Sequence, residues 1–144
     1  MSLTEKAGKF VLAVGLVSVV ASLSFFLVGM IGAGEELSTL SFGDFGKLWL
    51  GYIPVMIPFI SVAGLVAMPI SALLVKVGLA NWLAFALVGA IVGAVFTTLL
   101  FASFALSSNI PVWASVGVLP GVTAGLFWWQ TVVRPERAER GLAA

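Results

Sequence analysis

Four long apolar segments alternate with short polar segments along this chain. The apolar segments run roughly over residues 10–31, 48–75, 83–106 and 112–133, and the charged residues lie almost entirely between or beyond them. Each segment is longer than the ~20 residues that cross ~30 Å of hydrocarbon as a helix. A backbone in lipid must satisfy its own hydrogen bonds, as a helix does. The pattern therefore predicts an all-α integral membrane protein, a bundle of four transmembrane helices.

The polar segments leave little sequence for any second unit. The longest internal one covers residues 32–47, which is too short for an independent soluble domain. Composition agrees, because 61% of the residues are hydrophobic, 9% are charged and the mean hydropathy is +1.19. We therefore expect residues 1–144 to form a single membrane domain.

The distribution of basic residues predicts the orientation of the bundle. Lys47 is the single basic residue in the polar segments of one side, whereas the other side carries six: Lys6, Lys9, Lys76, Arg134, Arg137 and Arg140. Basic residues near membrane spans remain cytoplasmic. An even number of spans then places both termini in the cytoplasm, and we expect the cell inner membrane of a bacterium. Arg134, Arg137 and Arg140 are interpreted as a cytoplasmic anchor to anionic lipid.

The second apolar segment is irregular. A straight helix over residues 48–75 would be about 42 Å long, so it must tilt, bend or extend beyond the hydrocarbon. Pro54, Pro58 and Pro69 each remove an amide donor and favour kinks. The hydroxyls of Tyr52, Ser61 and Ser71 are candidates for satisfying the freed carbonyls, while other Ser and Thr within the spans should bond to their own helices. A broken helix that lines a substrate cavity is the alternative interpretation.

Glycines mark faces on the third and fourth helices. Gly89 and Gly93 form a G-x-x-x-G pair, and Gly117, Gly121 and Gly125 form a double one. Helices in lipid associate through close backbone contact at small residues. Because the connection over residues 107–111 is short, we expect the two glycine faces to meet within one chain. Self-association through one of the faces is the alternative, which would make a homo-oligomer.

An aromatic stripe precedes the second helix. Phe42, Phe45, Trp49 and Tyr52 recur at helical spacing and therefore share one face. Ser41 followed by Asp44 resembles a capping box that starts a helix at Phe42. The stripe is interpreted as an interfacial segment at the edge of the bundle or as a docking surface for a partner.

Several kinds of chemistry are excluded by the residues that are missing. The chain has no cysteine and no histidine, which removes thiolate and imidazole metal sites and imidazole acid–base catalysis. The spans contain no Asp, Glu, Arg or His, the usual marks of ion pathways and proton relays. We therefore expect no enzymatic activity, no cofactor or metal, and no nucleic-acid partner.

A chain of this composition can act mainly through the surfaces of its helices. The sequence favours a small polytopic protein that is an accessory, assembly or stabilising subunit of a larger membrane complex. Its expected partners are the lipid bilayer and another membrane protein. The alternative is a small homo-oligomeric channel or carrier for a neutral or apolar solute, lined by Ser and Thr around the second helix.

Overall fold

The computed structural model describes residues 2–33, 41–103, 110–139 and 141, and these residues are almost entirely helical. Four long helices follow one another: α1 (Leu3–Ala33), α2 (Phe42–Lys76), α3 (Trp82–Ser103) and α4 (Ile110–Trp128). A π-helical turn, Trp129–Val133, continues α4 and leads into the short helix α5 (Arg134–Glu139). Four helices are long and apolar enough to cross a membrane, which confirms the prediction at that level.

Helices α1 and α2 begin earlier than the apolar segments that predict them. α1 starts at Leu3, before the apolar segment that begins at residue 10, and α2 starts at Phe42, as the capping box predicts. Hydropathy marks the part of a helix that suits hydrocarbon, and the helix itself continues into the polar headgroup region. At α2 the start follows from a cap: the Asp44 amide donates to Ser41 Oγ at 3.2 Å, and the Ser41 hydroxyl donates to the Asp44 carboxylate at 2.6 Å.

Neighbouring helices are in contact to very different extents. α3 packs along α4 most extensively, and α1 packs against both α2 and α4. α2 and α3 are joined by a short turn but make few contacts with each other. The chain therefore consists of an α1–α2 hairpin and an α3–α4 hairpin, which meet mainly through α1 and α4.

Three members of the aromatic stripe pack against α1, and the interpretation of the stripe as an interfacial segment or a docking surface stays a prediction. Phe45 packs edge to face against Phe26, with ring centroids 5.0 Å apart. Tyr52 lies 5.3 Å from the ring of Phe25. The indole Nε1 of Trp49 donates to a backbone carbonyl of α1, at Val19, across 3.4 Å. These rings pack within the chain because α1 supplies aromatic partners at matching heights. Phe42, 94% exposed, is the member of the stripe that remains outside.

Pro54, Pro58 and Pro69 lie inside the continuous helix α2. The carbonyls that these prolines deprive of a donor belong to Leu50, Pro54 and Leu65, four residues earlier. The Ser61 hydroxyl donates instead to Ile57 O at 2.8 Å, and the Ser71 hydroxyl to Met68 O at 2.8 Å. The expectation that these hydroxyls satisfy the freed carbonyls is therefore wrong, because each bonds to the carbonyl three or four residues before itself.

Several other hydroxyls of the long helices bond to their own helix, as expected. Side chains that donate to carbonyls of their own helix include Ser22, Thr98 and Thr123. Ser18 Oγ, by contrast, is fully buried and has no hydrogen-bond partner among the described residues. Nothing in the packing around Ser18 explains why its hydroxyl does not bond to its own helix.

Candidate functional site: a glycine seam, a cleft and a polar end

The glycines of α3 and α4 lie face to face. A β-carbon built at Gly121 would overlap the carbonyl oxygen of Gly89 and lie 2.8 Å from its carbonyl carbon. Gly93 and Gly117 face each other in the same way, and Gly125 lies against the carbonyl of Phe85. The two backbones thus approach more closely than any residue with a side chain allows. We call this contact the glycine seam: Gly89, Gly93, Gly117, Gly121 and Gly125.

Thr97 extends the seam by a polar contact. Its hydroxyl lies 2.9 Å from Gly93 O on its own helix and 2.8 Å from Trp113 O on α4. A hydrogen bond between helices in lipid contributes ~0.6 kcal/mol on average. The threonine therefore adds a directional contact to a seam that otherwise depends on dispersion.

A cavity of about 160 Å³ lies among the four long helices. α1 and α4 form its floor, and α2 and α3 form its walls. Because α2 and α3 make few contacts, the space is open between them. We call it the cleft; its wall on α2 includes Met56, Phe59, Ile60, Ala63, Ala67 and Ser71, and its wall on α3 includes Phe85, Val88, Val92 and Phe96.

The cleft is apolar, and none of the described residues that line it is charged. Its hydroxyls belong to Ser71 and Thr97, and both are already bonded to backbone carbonyls. An apolar cavity offers water too few partners to hold it. Ser61, expected to line a solute pathway, is absent from the described lining. The arrangement suits an apolar occupant and gives an ion no compensation for its hydration shell.

A polar cluster holds together the end of the bundle where α1 begins and α5 lies. Lys6 Nζ on α1 is 2.6 Å from the Glu136 carboxylate on α5. Lys9 Nζ donates to Thr131 O in the π-helical turn at 2.7 Å. Ala80 O, in the turn between α2 and α3, accepts from Trp129 Nε1 at 3.2 Å and from Arg137 Nη1 at 2.9 Å. Three separate parts of the chain are therefore joined here.

The arginines expected to anchor the tail to lipid differ in their surroundings. Arg134 is exposed, with its guanidinium 5.8 Å from the centroid of the Trp129 ring. Arg137 contacts the bundle through Ala80 O, and its interpretation as a lipid anchor stays a prediction. Arg140 lies outside the described residues. A guanidinium bonds well to a backbone carbonyl at the interface because it presents several donors in a rigid fork.

Sequence reasoning found the seam but missed the cleft wall and the polar cluster. Ala63, Ala67 and Ser71 recur every four residues on α2, a small-residue spacing that a search for glycine pairs alone passes over. Pro120 of α4, which lines the floor of the cleft, was also not singled out. The pairing of Arg137 with Ala80 carries no sequence signal, because a backbone carbonyl is the same at every residue.

Metal ligands are not grouped in this structure: among the described residues, no three His, Cys, Asp or Glu side chains lie close enough to hold an ion. Comparison with protein-family models, with curated proteins and with solved structures finds no match to this chain. A function must therefore be argued from the contacts themselves.

Proposed function

We propose that this chain is an accessory, assembly or stabilising subunit of a larger membrane complex, and that a transmembrane helix of the partner packs in the cleft. The observation that carries the proposal is the apolar cleft between α2 and α3. Side chains of a partner helix can fill such a space by dispersion contact, which is a main source of helix association in lipid. The glycine seam and the aromatic contacts of α1 keep the floor and walls in place.

The membrane setting of this proposal follows from charge. We take the membrane to be a bacterial inner membrane, with the polar end of the bundle in the cytoplasm, since six of the seven basic residues belong to that side. Reporter fusions after Val77 should then read as cytoplasmic and fusions after Asn109 as periplasmic. A bend of α2 at Pro54 and Pro58 would set the angle of the cleft wall.

Photo-crosslinking from the cleft tests the proposal directly. A photoreactive phenylalanine at Ala67 points into the cleft, whereas one at Val66, which is 53% exposed, points away from it. We expect the Ala67 probe to give one dominant crosslink to another membrane protein in native membranes and the Val66 probe to give none. Crosslinks to lipid or to the same chain alone would contradict the proposal.

A second experiment separates a subunit from a transporter. Ala67→Trp fills the cleft and should release the partner on gentle solubilisation, while the isolated variant melts as the parent does. Reconstituted alone in liposomes, the parent chain should conduct no ions and take up no neutral solute. Saturable uptake that Thr97→Val or Ser71→Ala changes would favour the homo-oligomeric channel or carrier for a neutral or apolar solute instead.

A further inference from the structure

The two hairpins of this chain are each held together internally; they meet along α1 and α4, and further contacts join them at the polar end. Aromatic rings and the Trp49 indole connect α1 to α2, and the glycine seam connects α3 to α4. At the polar end, contacts made by residues 129–139 reach α1 and the turn between α2 and α3. The cleft is the space left between the two hairpins. Its width therefore depends on the α1–α4 contact and on how firmly the polar end is held.

The joining segment contains a local departure from α-helical geometry. Residues Trp129–Val133 form a π-helical turn, in which each carbonyl bonds one residue further along than in an α-helix. Such single turns occur frequently at functional positions. Here the turn carries Trp129, whose indole donates to Ala80 O, and Thr131, whose carbonyl accepts from Lys9.

The turn that the segment grips ends α2 with a glycine cap, in which the amides of Gly78 and Leu79 donate to the carbonyls of Val75 and Leu74. Gly78 has a φ of 80°, a conformation that residues with a side chain rarely adopt. Next to it, Ala80 is buried with Phe85 and Val133 in an apolar cluster that Leu74 and Trp128 flank. Leu74 belongs to the α2 wall of the cleft and Phe85 to the α3 wall. A displacement at this turn is therefore transmitted to both walls.

We propose that residues 129–139 form a latch, which holds the turn between α2 and α3 through Arg137 and Trp129, holds α1 through Glu136, and keeps the cleft narrow. Release of the latch lets the α1–α2 hairpin pivot away from the α3–α4 hairpin, and the cleft widens. The consequence for partner docking rests on the proposed function, but the movement itself is a property of the isolated chain. An experiment can therefore contradict the latch without contradicting partner docking, and the reverse also holds.

Distance measurement between spin labels tests the latch. The chain has no cysteine, so Val55→Cys on α2 and Val95→Cys on α3 give a unique labelled pair across the cleft. Both positions are more than half exposed. With the chain in lipid nanodiscs, we expect Arg137→Gln to raise the ratio of long to short distances roughly tenfold, the change expected from losing one hydrogen bond to a charged group.

Matched controls separate the latch from general loosening. A labelled pair within one hairpin, Val95→Cys with Leu119→Cys, should keep its distance in every variant. Lys76→Gln removes an exposed charge at the same end of the bundle and should leave the cleft distance unchanged.

Charge reversal gives a second route if Arg137→Gln fails to fold. Glu136→Lys should lengthen the cleft distance by repelling Lys6, and adding Lys6→Glu should restore the parent distance. Restoration supports the latch because the ion pair has then re-formed in reverse. An unchanged cleft distance in folded Glu136→Lys and Arg137→Gln variants would overturn the proposal.

Discussion

The helix pairs α3–α4 and α2–α3 have connections of similar length but pack to very different extents. Both pairs consist of apolar helices joined by short connections, residues 104–109 in one case and residues 77–81 in the other. In the first pair the backbones touch through the glycine seam. In the second the helices make few contacts and leave the cleft. Connection length therefore does not determine how closely two membrane helices pack.

The difference is explained by the side chains that face each other. Across the seam, glycines expose the backbone to dispersion contact that lipid cannot match. Across the cleft, bulky groups such as Phe59 and Ile60 on α2 face Val92 and Phe96 on α3. Lipid tails are as apolar as these side chains, so burying them against each other gives little gain. We therefore expect the cleft to be filled only when a partner with a complementary surface packs in it.

The largest effect is expected where the seam is tightest. Gly121→Leu places a side chain against the Gly89 carbonyl, and overpacking costs ~1–3 kcal/mol or more because neither backbone can yield cheaply. The melting temperature in detergent should fall clearly. Gly51→Leu is the matched control, since a β-carbon at Gly51 meets nothing within 4 Å. Equal melting of the two variants would show that the seam carries no stability.

A smaller effect is expected between α1 and α2, where rings replace glycines. Phe45→Ala removes the edge-to-face contact with Phe26, and an aromatic pair contributes ~0.5–1.5 kcal/mol. Phe42→Ala should have no measurable effect, because Phe42 is 94% exposed. Thermal unfolding of the two variants compares one inward and one outward member of the same stripe. A larger loss at Phe42 would mean that the stripe faces outward after all.

A still smaller effect is expected from the hydrogen bond that Thr97 makes across the seam. Thr97→Val keeps the shape of the side chain but removes the hydroxyl next to Trp113 O, and we expect a loss of ~0.6 kcal/mol. Thr98 donates to Ala94 O of its own helix. Thr98→Val should therefore change the free energy of unfolding by less. The two values come from chemical denaturation in mild detergent, and a greater loss at Thr98 would contradict the assignment.

The sequence predicts the seam well because its signal and its geometry coincide. Spacing of four residues places Gly117, Gly121 and Gly125 on one face, and close approach requires that face to be bare. The same holds for the start of α2, where Ser41 and Asp44 bond locally. Predictions of this kind need only the residues within one or two turns.

Features that depend on distant partners were not predictable in this way. The stripe of Phe45, Trp49 and Tyr52 has the same periodicity whether it faces α1, a partner or the headgroups. The stripe faces α1 because Phe25 and Phe26 lie at a matching height on that helix. The cleft is even harder to predict from sequence, because it exists where the apolar faces of α2 and α3 do not pack against each other. Hydropathy does not distinguish side chains that face a helix from side chains that face lipid.

Substitutions in the cleft should have the smallest effect on the stability of the isolated chain. They should have the largest effect on binding of the partner. Ala63→Leu adds a side chain to a wall that faces open space, so the isolated chain should change by less than ~0.5 kcal/mol. Val62→Leu, on the 52% exposed side of α2, is the control.

In the native membrane the order of these variants should reverse. A partner helix in the cleft meets the enlarged side chain of the Ala63→Leu variant directly, so this variant should release the partner while Val62→Leu retains it. Co-purification after gentle solubilisation measures both. If Ala63→Leu destabilises the isolated chain as strongly as Gly121→Leu does, the cleft is closed in the isolated chain, and the contrast between the two helix pairs does not hold.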